Sequence, residues 1–203
     1  MPHTLFICPR PAALAAAALC LAAACTDAES RLLNADPAAA AASGGGRDLF
    51  VEVAVPHTPG SSMDSQAFDA DGDGDLDLLI AKEFQRNVLL LNDGTGRMTD
   101  ASDARIPFTV HDSEDVAVAD FDGDGDADAV VAGEDDQVSE FYLNDGAGFF
   151  TAAGDRLPAM GMAQSVAAAD VDRDGDADLV FGNHGQDFLF VNDGTGHFAD
   201  ETH

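Results

Sequence analysis

A nine-residue stretch dense in aspartate occurs three times at a nearly fixed interval. This periodicity constrains the fold more than any other feature of the chain. Asp69-Ala-Asp71-Gly-Asp73-Gly-Asp75-Leu-Asp77 returns as Asp120-Phe-Asp122-Gly-Asp124-Gly-Asp126-Ala-Asp128, and again as Asp170-Val-Asp172-Arg-Asp174-Gly-Asp176-Ala-Asp178. The first residues of the copies are 51 and 50 positions apart. At such a period each unit is one small supersecondary structure, which buries its apolar surface against its neighbours in a stacked or radial array.

Five carboxylates in nine residues repel one another unless a cation sits among them. Ca²⁺ takes 6–8 oxygens in flexible geometry, which a curled segment with alternating carboxylates can supply. Positions one, three and five are Asp in every copy: Asp69, Asp71 and Asp73; Asp120, Asp122 and Asp124; Asp170, Asp172 and Asp174. Position six is Gly (Gly74, Gly125, Gly175), which permits a sharp turn between ligands. Position nine (Asp77, Asp128, Asp178) can close the shell. Position seven (Asp75, Asp126, Asp176) offers its backbone carbonyl, leaving its side chain for water or an outer shell. Mg²⁺ fits less well, because it demands near-octahedral geometry and holds its waters. An EF-hand is excluded: its loop needs a bidentate Glu at position twelve, and here that position is Ile80, Val131 or Phe181.

The surroundings of each loop read as short strands. Residues 62–68, 115–119 and 165–169 precede the loops, and the apolar runs 76–81, 127–132 and 177–181 follow them. Third strands are expected at 87–91, 140–143 and 187–191, and fourth strands at 97–100, 149–152 and 197–200. Between the third and fourth lie Asn92-Asp93-Gly94-Thr95-Gly96, Asn144-Asp145-Gly146-Ala147-Gly148 and Asn192-Asp193-Gly194-Thr195-Gly196. Asp-Gly supplies the positive φ angles of tight hairpin turns. Four short antiparallel strands per unit describe one propeller blade, so the chain is expected to be all-β, with repeats at about 62–100, 113–152 and 165–201. Phe149, Phe150 and Phe198, near the fourth strands, are expected to pack between blades.

The Asp loop followed by Asn-Asp-Gly-x-Gly, in fixed order over about 62–201, resembles the FG-GAP/VCBS repeats that also build the integrin α-subunit propeller. The resemblance implies Ca²⁺ in the loop between the first two strands of each blade, held by the Asp residues named above. Arg173 departs from the pattern at position four and implies a slightly weaker third site. Three blades are fewer than the 4–8 of a closed propeller. The expectation is therefore an open arc, self-association through open blade faces, or a shortened relative of a larger protein. A strand candidate at 49–55 could complete a partial blade or lie beside the first.

Residues 1–25 read as an export signal: Arg10 precedes the Ala/Leu run 12–24, which is too short for a membrane span. Ala22-Ala23-Ala24-Cys25 resembles a bacterial lipobox, which makes Cys25 the lipidation candidate; simple signal cleavage is the alternative. Thr26 after the Cys favours the outer membrane by resemblance to bacterial sorting rules. No Cys occurs after Cys25, so calcium rather than disulfides is expected to cross-link the exported body. Residues 26–47 form an Ala/Gly-rich tether, and 48–203 are the repeat domain. The expected location is the cell envelope, as an outer-membrane lipoprotein or a periplasmic or cell-surface protein, with secretion as the alternative.

The formal net charge is −29, from 38 acidic and 9 basic residues. A basic footprint for nucleic acid is missing. No zincin, nucleophile-elbow or P-loop motif occurs. His111-Asp112-Ser113 are consecutive, cannot orient as a triad on one strand, and read as a polar loop before a first strand. The expected function is thus a non-enzymatic calcium-binding module for a protein or glycan. The alternative is an accessory or truncated relative of a larger exported calcium-dependent enzyme.

Overall fold

A computed structural model describes residues 4–7 and 51–203, with side chains described from 55 onward. Apart from Thr4–Ile7, the expected export signal at 1–25, Cys25 included, and the tether at 26–47 lie outside the described residues. Strands β1 (Thr4–Ile7) and β2 (Val51–Ala54) pair antiparallel, with Leu5 opposite Val53, in a unit of their own. The strand candidate at 49–55 therefore exists in part, and its partner is β1 rather than a blade strand.

The second unit, from Val55 to His203, holds three four-stranded antiparallel blades. The first contains β3 (Ser62–Phe68), β4 (Asp77–Gln85), β5 (Val88–Asn92) and β6 (Met98–Asp100). The second contains β7 (His111–Ala119), β8 (Asp128–Gly133), β9 (Glu140–Asn144) and β10 (Phe150–Ala152). The third contains β11 (Ala163–Ala169), β12 (Asp178–Asn183), β13 (Phe188–Asn192) and β14 (Phe198–Asp200). Each blade is a meander in chain order, and the expected all-β, open propeller-type architecture is what the strands form.

Alternation along β8 explains why the blades stack. Ala129 and Val131 point into one apolar cluster with Phe68, Leu79, Leu89, Tyr142 and Phe150, between the first and second blades. Val130 and Ala132 point into the other, with Phe121, Phe141, Leu179, Phe181, Phe190 and Phe198, between the second and third. Period-two geometry thus buries both faces of the middle blade. On β12, Leu179 and Phe181 face that second cluster, while Val180 on the opposite face is 40 % exposed. Phe150 and Phe198 pack between blades as expected. Phe149 instead stays 47 % exposed, with the Arg105 guanidinium 4.1 Å over its ring.

The middle blade begins earlier than its sequence suggests. His111, Asp112 and Ser113 belong to β7, not to a loop, because the end of β4 supplies a backbone partner: Glu83 lies opposite Asp112, and Gln85 opposite His111. The three side chains then go separate ways. His111 Nδ1 meets Asp136 Oδ2 at 2.7 Å, Asp112 Oδ2 accepts from Asp135 N–H, and Ser113 Oγ donates to Glu140 Oε2. Adjacent strands also lock at their centres. Val116 N–H donates to Asp64 Oδ2 of the first blade, and Val166 N–H donates to Asp115 Oδ2 of the second.

Two short helical turns bridge successive blades. α1 (Ser102–Arg105) carries Arg105, whose Nη1 donates to the Ala147 carbonyl in the next blade's hairpin. A 3₁₀ turn at Gly154–Arg156 carries Arg156, whose Nη1 donates to the Thr195 carbonyl one blade further on, at 2.9 Å.

Candidate metal centres

Each Asp loop joins the first and second strands of its blade, where the backbone must reverse within nine residues. Gly72, Gly74, Gly123 and Gly125 adopt φ between 75° and 97°, a region that costs other residues roughly 1–2 kcal/mol. The position-one carboxylate organises the curl. Asp69 Oδ1 and Oδ2 accept from Gly72 and Gly74 N–H at 2.9 Å each, Asp120 accepts from Gly123 and Gly125, and Asp170 from Arg173 and Gly175. The position-nine carboxylate anchors the curl to the hairpin. Asp128 is fully buried, with Oδ2 accepting from Phe121 N–H at 3.0 Å and Oδ1 from Asn144 N–H at 2.8 Å. Asp77 and Asp178 make the same two contacts.

In every copy, one carboxylate oxygen from each of positions one, three and nine comes within 4.8 Å of the other two: Asp69, Asp71 and Asp77; Asp120, Asp122 and Asp128; Asp170, Asp172 and Asp178. Oxygens that close can share one Ca²⁺, whose bonds to oxygen are roughly 2.3–2.6 Å long. The position-five side chains stand outside this set; Asp73, Asp124 and Asp174 each accept the N–H two residues on. The position-seven side chains lie against the hairpin of their own blade. A methyl on Gly94, Gly146 or Gly194 would come within 2.5 Å of Asp75, Asp126 or Asp176 respectively.

Neighbouring blades complete the first two loops. Asn144 Nδ2 donates back to Ala70 O at 2.8 Å, and Asn192 Nδ2 to Phe121 O, also at 2.8 Å. The hairpin glycines Gly148 and Gly196 are seats for Asp71 and Asp122; an added Cβ would lie 3.1 and 3.3 Å from those residues' Cβ atoms. This packing leaves Asp71 Oδ1 and Asp122 Oδ1 buried without any hydrogen-bond partner. A buried anionic oxygen without a partner is costly, and a hard cation among the three carboxylates would satisfy it. The residues present therefore fit Ca²⁺, with the chain's own oxygens as ligands. Asp172, in the third blade, is exposed.

The same packing explains Arg173. Gly72 and Gly123 occupy the equivalent position, and a Cβ there would approach Gly146 O and Gly194 O of the following hairpin to 2.9 and 3.1 Å. Arg173, at the same position of the third loop, is exposed, and its φ is 70°. Arg173→Gly is expected to stabilise the protein by about 1 kcal/mol in thermal unfolding. An unchanged or lowered midpoint would mean that the Arg173 side chain offsets its backbone strain.

Burial pushes the Asp128 carboxyl up to about 6, with the Asp122 and Asp124 charges adding to the rise and the Asn144 and Phe121 N–H groups opposing it. Burial raises Asp77 and Asp122 in the same direction. A carboxyl raised in the folded state binds its proton more tightly there than in the unfolded chain. Metal-free protein is therefore stabilised as pH falls from about 6 toward 4, and that stability is lost as pH rises through 6. With chelator present, the midpoint at pH 5 should exceed that at pH 7, by on the order of 2 kcal/mol in stability. A lower midpoint at pH 5 would contradict these shifts.

The blades and their Asp loops define an all-β repeat protein with one cation-type loop per unit. The model of the FG-GAP-like repeat family matches residues 69–131 and 120–181, and the chain belongs to that family. Each match begins at the first Asp of a loop and runs into β8 or β12, across a blade boundary. It therefore spans the contacts that lock one loop to the next hairpin. Repeats of this family often bind calcium and are generally non-catalytic. No curated protein matches the chain.

Sequence reasoning located the Asp loops and hairpins. It missed Asn144, Asn192, Arg105 and Arg156 as ties between blades. A signal for the arginines was present: they are 51 residues apart, the interval of the repeat itself.

Proposed function

We propose that this chain is an exported, calcium-binding, non-enzymatic repeat module that engages a protein or glycan at the cell envelope. The observation that carries the reading is the convergence of three carboxylates in each loop, with the first two loops sealed by the next blade's hairpin. Calcium would be held by Asp69, Asp71 and Asp77 and by their counterparts in the other two copies. Its role is structural, because the loops tie blades together and extracellular sites of this kind work at about 10⁻⁴–10⁻³ M. The family relationship supports an interaction role. The three consecutive residues His111, Asp112 and Ser113, the most suggestive catalytic types in the chain, turn to different partners.

Binding of the purified protein to envelope polysaccharide and to envelope protein, with millimolar Ca²⁺ and then with chelator, tests this reading. Saturable, calcium-dependent retention by one of them is expected. Retention by neither, or chemical turnover of the polysaccharide, would overturn it. We further propose that Cys25 carries a lipid anchor, and that the outward face of the third blade, with Val180 exposed, supports self-association. Cys25→Ser would then move the protein from the membrane to the soluble fraction. Sedimentation at rising concentration would show oligomers. Unchanged fractionation and a strictly monomeric protein would count against these two points.

A further inference from the structure

β7 runs from His111 to Ala119 and delivers the chain into the second Asp loop. At the other end of this strand, roughly 25 Å from that loop, stands a different acidic group. One carboxylate oxygen from each of Asp112, Glu114 and Glu134 lies within 4.8 Å of the other two. Asp112 is only 2 % exposed. Its Oδ2 accepts from Asp135 N–H at 3.1 Å, while Oδ1 is buried with no hydrogen-bond partner. Among the described residues, the carboxylates with such an orphaned oxygen are Asp71, Asp122 and Asp112. The first two belong to Asp loops, so the third shares the mark of a cation centre without belonging to one.

The fold does not require these acids. The bulge between Ser113 and Asp115 recurs between Ser62 and Ser65 and between Ala163 and Ser165, so it is architectural. The residues at the repeat interval are not acidic in the same pattern: Ser61, Met63 and Glu83 in the first blade, Met162, Gln164 and His184 in the third. The middle blade alone concentrates the charge, and both neighbours turn toward it. Glu83 of the first blade pairs with Asp112 across β4 and β7, and Gln164 of the third donates Nε2–H to Glu134 Oε1 at 2.8 Å. The charges that act most on Asp112 are those of Asp135, Glu83 and Glu134, and on Glu114 those of Glu134, Asp112, Glu83 and Asp135, all negative. Lys82, beside Glu83, directs its ammonium elsewhere, to Thr58 O, Gly60 O and Ser62 Oγ. His111 is engaged with Asp136.

We propose that Asp112, Glu114 and Glu134 form a second kind of Ca²⁺ site, at the end of the middle blade away from the Asp loops. All its charged donors are hard oxygens, and an irregular set of this kind suits the flexible geometry of Ca²⁺ better than the near-octahedral demand of Mg²⁺. With Glu83 and Gln164 around it, an ion there would tie all three blades at that end, as the Asp loops tie them pairwise at the other. The proposal does not depend on calcium occupying the Asp loops.

Calcium bound per chain is counted by equilibrium dialysis of the full chain at millimolar Ca²⁺. Glu114→Gln/Glu134→Gln, both at half-buried positions, and separately Asp112→Asn should each bind one ion fewer than the wild type, with unchanged far-ultraviolet circular dichroism. A variant with Asp71, Asp122 and Asp172 all changed to Asn should retain this ion. Equal counts in the wild type and the well-folded double variant would overturn the proposal. Empty Asp loops would lower the wild-type count yet leave the difference of one, so the two failures are distinguishable.

Discussion

Phe121→Ala is expected to destabilise the protein by about 3–5 kcal/mol. Phe121 occupies position two of the middle Asp loop and is 1 % exposed. Its ring meets Phe141 at 5.7 Å and Phe198 at 5.8 Å, edge to face, and those two rings lie 5.8 Å apart. Three mutually contacting aromatics from the second and third blades thus form the centre of one interblade cluster. Truncation removes the ring contacts and leaves a cavity that the backbone cannot close, because Phe121 N–H and C=O are held by Asp128 and Asn192. For a domain whose total stability is about 5–15 kcal/mol, this is a large fraction. Val171, the same position in the third loop, is 43 % exposed, so Val171→Ala should shift stability by less than about 0.5 kcal/mol. Denaturant unfolding of both variants checks the contrast. Similar costs would mean that the blade faces are not packed as described.

Asp128→Ala should show a cost that depends on calcium. Removing the carboxylate strands the N–H groups of Phe121 and Asn144 in a buried setting, at about 1–3 kcal/mol each. In chelator at pH 7 part of this loss is offset, because a buried anion is also removed. In calcium the offset vanishes and a ligand is lost as well, so binding free energy that would have been folding free energy disappears. The expected cost is about 4 kcal/mol or more in Ca²⁺ and about half that in chelator. Equal costs under the two conditions would remove Asp128 from the ligand set.

Much of this architecture was legible because it is written locally. Asp-x-Asp-x-Asp-Gly and Asn-Asp-Gly-x-Gly place turns, and the runs between them can only be short strands. β3 at Ser62–Phe68 begins and ends where its sequence suggests. What was not legible depends on partners distant in sequence. His111 and Asp112 look like loop residues until β4 pairs with them. Phe149 and Phe150 are adjacent and chemically identical. Strand alternation sends Phe150 into the core, and Phe149 outward beneath Arg105. The Asp at position five of each loop reads as a ligand by spacing, yet its carboxylate accepts a local N–H outside the convergent trio. The Asp112, Glu114 and Glu134 group breaks the repeat, so periodicity could not reveal it.

Thermal unfolding of the protein at pH 7, first in millimolar Ca²⁺ and then in chelator, bears most directly on the claim that the Asp loops are calcium-held joints between blades. A midpoint raised strongly by Ca²⁺, and less or not at all by Mg²⁺, is the predicted result. A midpoint indifferent to Ca²⁺ would contradict it and leave the three carboxylate sets as turns held by their own backbone hydrogen bonds.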